Sequence, residues 1–289
     1  MTASPSLLAQ SSLAASLWWW TAAVLEPARS LKRAGLPVAD GREGEEPMGL
    51  PRRGLGPYFS KRHPDPVLLG NATQHDHLVA EFDRIPEVYE AVVRPFSQTI
   101  FDEALIHVRS WLGPDWRLLD AGCGPGRELR QMAALVPRGE VVGIDLAAGM
   151  VQTAHASARA HGYDNCAFFQ ADVGDLPRSF AGRFDLVYNC LAHHHYPSPE
   201  AAAREALRVL RDGGLLCVVD PGPAWFNRMS APLARASDPG WIGFKTPTQF
   251  RELFSSVGFA RSAWISLLPG FGLAVAQKRQ PPKKARQRA

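Results

Sequence analysis

Short apolar runs recur along the chain from residue 118 onward, and segments of mixed polarity separate them. Seven runs have the length and the branched or aromatic content of β-strands, and they cover residues 118–120, 140–145, 166–173, 183–191, 215–220, 259–268 and 271–277. Helical spacing predicts helices from residue 127, over about 148–161, over 201–211 and from about 246. This alternation of strands and helices predicts an α/β fold whose sheet is mainly parallel.

Glycine and proline mark the ends of several predicted elements. Pro269 and Gly270 alone separate the last two strands, which predicts a C-terminal antiparallel hairpin. Gly213 and Gly214 follow the helix predicted over residues 201–211, and we expect them to end it because glycine is common just beyond a helix C-terminus. The fifth strand is expected to start directly after them.

The first 25 residues carry no charged side chain, and residues 13–25 are almost entirely apolar. Their helical spacing predicts an N-terminal helical extension that packs on the following domain or lies in a membrane interface. A helix of this length reaches about 20 Å, which is short of the roughly 30 Å of a hydrocarbon core. A secretory signal would carry basic residues ahead of the apolar run, but here they follow it.

Three regions are predicted along the chain. Residues 1–70 form the N-terminal extension and a linker, since residues 34–70 are rich in glycine and proline and show no sustained period. Residues 71–278 form one domain, which begins with two or three short helices. Residues 279–289 form a basic, disordered tail, for which contact with phosphate or anionic lipid is the alternative. Met48 lies in the linker and is an alternative start of the natural protein.

The net charge of +4 comes from the C-terminal stretch. Six of the last twelve residues, from Lys278 on, are Lys or Arg and none is acidic, so removing their charges leaves −2 for the rest of the chain. A basic surface that binds nucleic acid is therefore not expected on the domain. The four cysteines lack the paired spacing of a zinc site, and we interpret them as reduced packing residues of a cytoplasmic protein without a metal.

The first strand runs into a turn with glycines at positions 122, 124 and 126, ahead of the helix predicted from Arg127. This G-x-G-x-G spacing lacks the last glycine of the dinucleotide fingerprint. Asp120 would repel a pyrophosphate but attract an ammonium group, while the helix N-terminus could accept a carboxylate. An amino-acid moiety satisfies both requirements.

The stretch D-A-G-C-G-P-G at residues 120–126 resembles motif I of the class I S-adenosylmethionine-dependent methyltransferases. The resemblance extends over about residues 71–278, and R-V-L-R-D-G-G at 208–214 is similar to the family's helix stop, with Asp212 in place of a proline. It implies a Rossmann-like seven-stranded sheet with helices on both faces and S-adenosylmethionine as cofactor. Within this family, the sequence resembles the subgroups of enzymes that methylate quinones and natural products.

A second carboxylate, Asp145, ends the next strand, 19 residues beyond Gly126. The ends of neighbouring parallel strands lie together, so we expect Asp145 to reach the ribose hydroxyls of a ligand in the glycine turn. The resemblance adds Asp172 as a contact of the adenine amino group. The full set of candidate cofactor residues is Asp120, Gly122, Cys123, Gly124, Gly126, Asp145, Leu146, Met150, Asp172, Val173 and Asn189.

Three consecutive histidines, His193, His194 and His195, follow the fourth strand on what the resemblance implies is the substrate side. Neighbours on an extended segment alternate in direction, so we expect one or two of them to face the cleft as a base or an orienting group. Three adjacent histidines are poor metal geometry, and no metal is expected. The candidate substrate residues are aromatic and come from a capping helix (Tyr89), from the position after the histidines (Tyr196) and from a loop-like lid (Trp225, Phe226, Trp241 and Phe244).

The resemblance implies methyl transfer to an oxygen or carbon, less readily a nitrogen, of a small apolar or aromatic molecule. Residues 189–192 read N-C-L-A, not the N-P-P-Y-like turn of enzymes that methylate nucleic-acid bases, so no nucleic-acid partner is expected. Two alternatives stay open. One is a membrane-associated methyltransferase of a lipid-like or quinone substrate that uses the helix around Trp18–Trp20, and the other is a relative that binds the cofactor without catalysis. The oligomeric state is left open.

Overall fold

Strand and helix alternate through the part of the protein described by a computed structural model, residues 66–67, 94–237 and 240–280. The elements are α1 (Arg94–Val108), β1 (Arg117–Ala121), α2 (Arg127–Leu135), β2 (Glu140–Asp145), α3 (Ala148–Ala160), β3 (Cys166–Gln170), β4 (Phe184–Cys190), α4 (Pro199–Val209), β5 (Leu210–Pro221), α5 (Ala224–Ser237), α6 (Pro247–Val257), β6 (Arg261–Leu268) and β7 (Phe271–Gln277). The predictions for the apolar N-terminal helix, the linker, Tyr89 and the basic tail lie outside the described residues, apart from Val67, Arg279 and Gln280.

The ends of three helices follow from local chemistry. Gly126 precedes α2 in the left-handed conformation, with φ of 75°. The Ser198 side chain accepts a hydrogen bond from the Ala201 amide at the start of α4. Thr246 and Gln249 form a reciprocal capping box at the start of α6.

All seven strands belong to one sheet with the order β3-β2-β1-β4-β5-β7-β6. The first five are parallel, and β7 lies antiparallel between β5 and β6. This confirms the predicted seven-stranded, mainly parallel sheet with an antiparallel C-terminal pair. The order reverses between β1 and β4, and the carboxyl ends of these two strands diverge into a crevice there, which is the position where open α/β sheets bind ligands.

Helices cover both faces of the sheet, as predicted. Side chains of α1, α2, α3 and α5 pack with one face, and those of α4 and α6 pack with the other. The alternation is visible in β1, where Leu118 belongs to the first core and Leu119 to the second. Buried apolar residues on both faces hold the strand ends of the sheet in fixed positions.

The predicted glycine stop after the fourth helix is wrong. Helix α4 ends at Val209, and β5 begins at once with Leu210. Gly213 has φ of 79° inside a bulge, since Leu210 pairs with Phe184 but the next regular pair joins Leu186 and Leu215. A left-handed glycine suits a bulge as well as a helix end, so the residue type alone did not distinguish them.

Two further boundaries differ from the prediction. Strand β3 ends at Gln170, so Asp172 lies in the loop beyond it. Trp225 and Phe226 lie on helix α5, not on a loop, because the buried inner face of this segment supplies a helical pattern that its prolines and glycines obscured. Trp241 and Phe244 do lie in an irregular segment.

The β3 edge of the sheet carries one further pairing. Val67 forms a parallel bridge with Phe169, and the Val67 amide donates to the Phe168 carbonyl at 3.0 Å. Among the described helices, none is long and apolar enough to cross a membrane.

Candidate active site

A cleft opens where the carboxyl ends of β1, β2 and β4 meet. Residues from the glycine turn, from the loops after β2 and β3 and from the segment after β4 form its walls: Gly122, Gly124, Asp145, Leu146, Met150, Ala171, Asp172, Val173, Cys190, Leu191, Ala192, His195, Tyr196 and Pro197. Seven of the eleven candidate cofactor residues are in this set. Their individual contacts with a ligand stay predictions.

The glycine turn brings bare backbone to the cleft. Gly124 has φ of 49°, and a Cβ placed on it would have no atom within 4 Å, so its position opens onto the cleft. Gly122 has φ of 82°, and a Cβ there would lie 2.8 Å from the Ala192 Cβ. Glycine is therefore needed at 122 for the close approach of two backbone segments and at 124 for the left-handed conformation.

Asp145 connects the end of β2 to this turn. Its Oδ2 accepts a hydrogen bond from the Gly124 amide at 2.9 Å, and its Oδ1 accepts one from the Ala147 amide at 3.0 Å. A carboxylate oxygen has two lone pairs and can accept more than one hydrogen bond. Leu146 and Met150, next along the chain, supply an apolar wall beside the carboxylate.

Asp172 lines the cleft from the loop after β3. Its Oδ1 accepts from the Gly174 amide at 2.7 Å, two residues further on, which is an Asx turn. The side chain therefore fixes its own loop at the rim of the cleft. Val173, directly after it, also lies in the wall.

Cys123 and Gly126 point away from the cleft. The Cys123 side chain is buried in the core on the α2 side of the sheet. A Cβ on Gly126 would lie 2.7 Å from the Ala154 Cβ, so the lack of a side chain there allows the turn to approach α3. The alternating glycines thus serve two purposes, ligand access at 124 and helix packing at 126.

Asp120 and Asn189 lie beneath the turn. Asp120 is 3% exposed, and burial, followed by the charges of Glu128 and Asp145, raises the pKa of its carboxyl well above the usual range. The Asn189 Nδ2 donates to the Ala121 carbonyl at 2.5 Å and to the Tyr196 hydroxyl at 2.7 Å, and that hydroxyl donates to the same carbonyl at 2.8 Å. Asn189 and Tyr196 therefore hold the end of β1 in place.

The three histidines form a 3₁₀ turn (His193–His195), not the extended segment that we expected. A turn with three residues per revolution directs consecutive side chains about 120° apart. His193 points into the interior between Tyr196 and Phe250, and only 4% of it is exposed. Burial lowers the pKa of His193 to about 3, so its imidazole remains neutral. His193 is not among the residues that line the cleft.

His195 is the histidine in the wall of the cleft. Burial, and then the charge of His194, lowers the pKa of His195 to about 3. Its ring packs against that of His194, with 4.2 Å between the centroids. A neutral imidazole here can orient a ligand by hydrogen bonding but is a weak base.

His194 forms a close pair with a carboxylate. Its Nδ1 lies 2.6 Å from the Asp220 Oδ1, and Asp220 is fully buried at the end of β5. Burial raises the pKa of Asp220, while the His194 charge opposes the rise. With Nδ1–H donated to the carboxylate, Nε2 carries the lone pair, and Asp220 stabilises the imidazolium that forms when Nε2 takes a proton.

Asp220 was missed from the sequence. Its signal was available, because it ends an apolar strand just as Asp145 does, and the sheet places β5 beside β4. Leu191 was also missed, and no local signal marks it. It lines the cleft with φ of 54°, the only positive φ of a residue other than glycine in the described part of the chain.

Apart from Tyr196 and Tyr89, the aromatic candidates divide into two pairs. Phe244 lies 5.2 Å from the His194 ring and Trp241 lies 5.4 Å from Phe244, so both flank the histidines. Phe226 is buried against Phe271 in the core, and Trp225 is exposed on α5. These last two do not line the cleft, because α5 directs them to the core and to the surface.

The buried histidines make the protein sensitive to acid. His193 binds a proton near pH 6.5 when unfolded but only near pH 3 when folded, so the unfolded state binds more protons between these values and stability falls as the pH drops through this window. When the pH falls from 7.5 to 5.5, we expect the unfolding free energy of His193→Gln to decrease by about 1 kcal/mol less than that of the wild type. Urea denaturation at both pH values measures it. An unchanged loss in His193→Gln would contradict the interpretation of His193 as a buried, neutral imidazole.

Comparison with known proteins agrees with this arrangement. Residues 112–241 match a family model described as a methyltransferase domain. The chain is 35% identical over 147 residues to nocamycin O-methyltransferase of Saccharothrix syringae, covering 49% of this chain and 50% of that one. It is 31% identical over 160 residues to malonyl-[acyl-carrier protein] O-methyltransferase of Dechloromonas aromatica, covering 53% and 57%. The chain thus spans about half the length of these relatives.

Solved structures share the fold. A putative methyltransferase from Bacillus halodurans superposes with a TM-score of 0.53 at 20% identity, covering 62% of this chain and 99% of that one. At this identity the likeness concerns the architecture of the sheet and its helices. The cleft at the β1–β4 switch is therefore set in a fold that several methyltransferases use.

Proposed function

We propose that this protein is a class I S-adenosylmethionine-dependent methyltransferase that transfers a methyl group to a small molecule, since residues 112–241 match a family model described as a methyltransferase domain. The observation that supports this most directly is the His194–Asp220 pair next to a cleft that contains bare glycine backbone and the Asp145 carboxylate. The relatives' names, nocamycin O-methyltransferase and malonyl-[acyl-carrier protein] O-methyltransferase among them, support an oxygen nucleophile in the acceptor.

The residues present fit S-adenosylmethionine. Gly124 leaves its Cβ position open to the cleft, and the Asp145 carboxylate, a group to which ribose hydroxyls can donate, lies in the cleft wall. Leu146 and Met150 offer an apolar surface for the adenine, and Asp172 lies at the rim beyond them. Asp120 is a buried carboxylate for which no salt bridge is found among the described residues, and a ligand ammonium nearby would offset the cost of its charge.

S-adenosylmethionine supplies an electrophilic methyl group on a sulfonium, so no protein group has to form a covalent bond. The residues must bind and align the reactants and exclude water from the cleft. We assign His194 the role of general base, which accepts the proton of an acceptor hydroxyl or activated carbon at Nε2. Asp220 holds the ring by its Nδ1 and stabilises the charge that results.

We assign the binding and orientation of the acceptor to His195 and the flanking aromatic side chains. His195 lies in the cleft wall and can orient a polar group, while Phe244 and Trp241 offer an apolar surface beside the histidines. Leu191 and Cys190 complete the apolar part of the wall. This combination favours an apolar or aromatic metabolite with one ionisable hydroxyl as the acceptor. The location of the protein in the cytoplasm stays a prediction from the sequence.

A labelling experiment tests the proposal. The purified full chain is incubated with deuteromethyl-labelled S-adenosylmethionine and an extract of the source cells, and small-molecule and macromolecular fractions are analysed separately by mass spectrometry. We expect label in a small metabolite, whose fragments identify the acceptor atom. Label confined to macromolecules would contradict the small-molecule assignment. No label, while S-adenosylhomocysteine still binds, would favour the non-catalytic alternative.

A further inference from the structure

Exposed large apolar side chains are concentrated in one region of the molecule. Among the described residues, those that expose 40% or more are Ile106, Trp225, Met229 and Ile242, at 51%, 56%, 40% and 51%. Three of the four lie within the 18 residues from Trp225 to Ile242. Scattered exposed apolar residues are ordinary, but a concentration of them indicates a contact surface.

Helix α5 has a buried face and an exposed apolar face. Phe226, Ser230 and Ala234 are buried at successive turns and attach the helix to the body of the protein. Trp225 and Met229 stand one turn apart on the opposite side, and the exposed Pro232 continues this line at the next turn. We call the line of Trp225, Met229 and Pro232 the α5 ridge.

The charges around the α5 ridge have one sign. Arg228 and Arg235 are exposed and lie along one flank of the ridge at helical spacing. Helix α5 itself contains no acidic residue, and the sequence from Pro221 to Gln249 holds a single one, Asp238, against three basic residues. An apolar line flanked by arginines complements a surface that is negatively charged outside and apolar within.

The C-terminal end of α5 contacts a segment that is hydrogen-bonded to the proposed acceptor site. The Arg235 guanidinium lies over the Trp241 ring at 5.4 Å, so the end of α5 contacts the segment that carries Ile242. The Ile242 amide donates to the His194 carbonyl at 2.8 Å. These two contacts connect the end of α5, through the segment that carries the exposed Ile242, to the backbone of the histidine turn.

We propose that the α5 ridge, together with Ile242, docks on an anionic lipid bilayer and presents the cleft to an acceptor dissolved in that bilayer. The second half of this statement rests on the proposed methyltransferase function, whereas the docking does not. A bilayer is favoured over a protein partner because the ridge combines an exposed tryptophan with arginines on its flank, which is the composition of interfacial helices. The surface is distinct from the N-terminal helix that the sequence suggested for membrane contact.

The test is vesicle co-sedimentation of the full chain with phosphatidylcholine vesicles that contain or lack 30% phosphatidylglycerol. We expect binding to the anionic vesicles only. The double variant Trp225→Ala/Met229→Ser should lower the partition coefficient about tenfold, because it removes apolar area that would enter the interface. Arg228→Gln should lower it severalfold through lost attraction to the anionic lipid.

The chain supplies a matched control in Ile106, which is as exposed as Ile242 but lies on a different helix, α1. Ile106→Ala should bind vesicles like the wild type. Equal binding by the ridge variants and the wild type would overturn the proposal, as would equal binding to both vesicle types or an equal loss in Ile106→Ala. Calorimetric binding of S-adenosylhomocysteine, measured on every variant, separates a failure of docking from a failure of the proposed function and confirms folding.

Discussion

Asp145→Asn is expected to weaken the binding of S-adenosylmethionine and S-adenosylhomocysteine at least about tenfold. A hydrogen bond to a charged group contributes about 1.5–3 kcal/mol, and the carboxylate is the group in the cleft that can accept from two ribose hydroxyls. The asparagine side chain would have the same size but only one acceptor oxygen. Its NH₂ group cannot accept a hydrogen bond from a ribose hydroxyl. Isothermal titration calorimetry with both ligands measures the change in Kd.

The ligand-free protein should also lose stability in this variant. The two Asp145 oxygens accept from the Gly124 and Ala147 amides, and an asparagine side chain can satisfy only one of these donors. A fall in melting temperature without ligand is therefore part of the expectation. Asp175→Asn, at an exposed carboxylate near the same edge, is the control for both readouts. Unchanged affinity in Asp145→Asn would contradict the ribose assignment.

His194→Ala is expected to lower the initial rate of label transfer about 100-fold or more at saturating S-adenosylmethionine, since a positioned general base contributes about 10²–10⁴ to a rate. The Kd for S-adenosylhomocysteine should stay within about twofold, because His194 does not line the cofactor cleft. Transfer of the deuteromethyl label to the identified acceptor measures the rate.

Two further variants, Asp220→Asn and His193→Gln, test the assignment of His194 as the base. Asp220→Asn keeps the shape of the pair but removes the charge that stabilises the imidazolium, so its rate should fall as well, by a smaller factor. His193→Gln should transfer label at close to the normal rate, because His193 points into the core. A larger loss in His193→Gln than in His194→Ala would overturn the assignment of the base.

The framework of the fold could be predicted because its signals are local. Each buried parallel strand is a short apolar run, and the glycine turn after β1 shows where the helix begins. The carboxylates at strand ends follow from the same pattern, since parallel strands bring their carboxyl ends to one edge. Asp145 was therefore predicted beside the turn, and Asp220 could have been predicted by the same argument.

The directions of side chains could not be predicted, because they depend on the local backbone. The histidine run has no pattern that separates an extended segment from a 3₁₀ turn, yet that choice decides which ring meets Asp220 and which is buried. Gly213 gave the same ambiguity between a helix end and a bulge. The left-handed conformation of Leu191 depends on contacts between strands, for example the hydrogen bond from its amide to the Val219 carbonyl.

The position of β7 has a consequence for the order of synthesis. This strand, the last one among the described residues, lies between β5 and β6, inside the sheet. While a ribosome is still making the chain, β5 has β4 on one side and an open hydrogen-bonding edge on the other until residue 277 is available. The nascent domain thus exposes a long, largely apolar edge strand while residues 222–277 are being added, which is the situation in which a chaperone that shields unpaired strands is most useful.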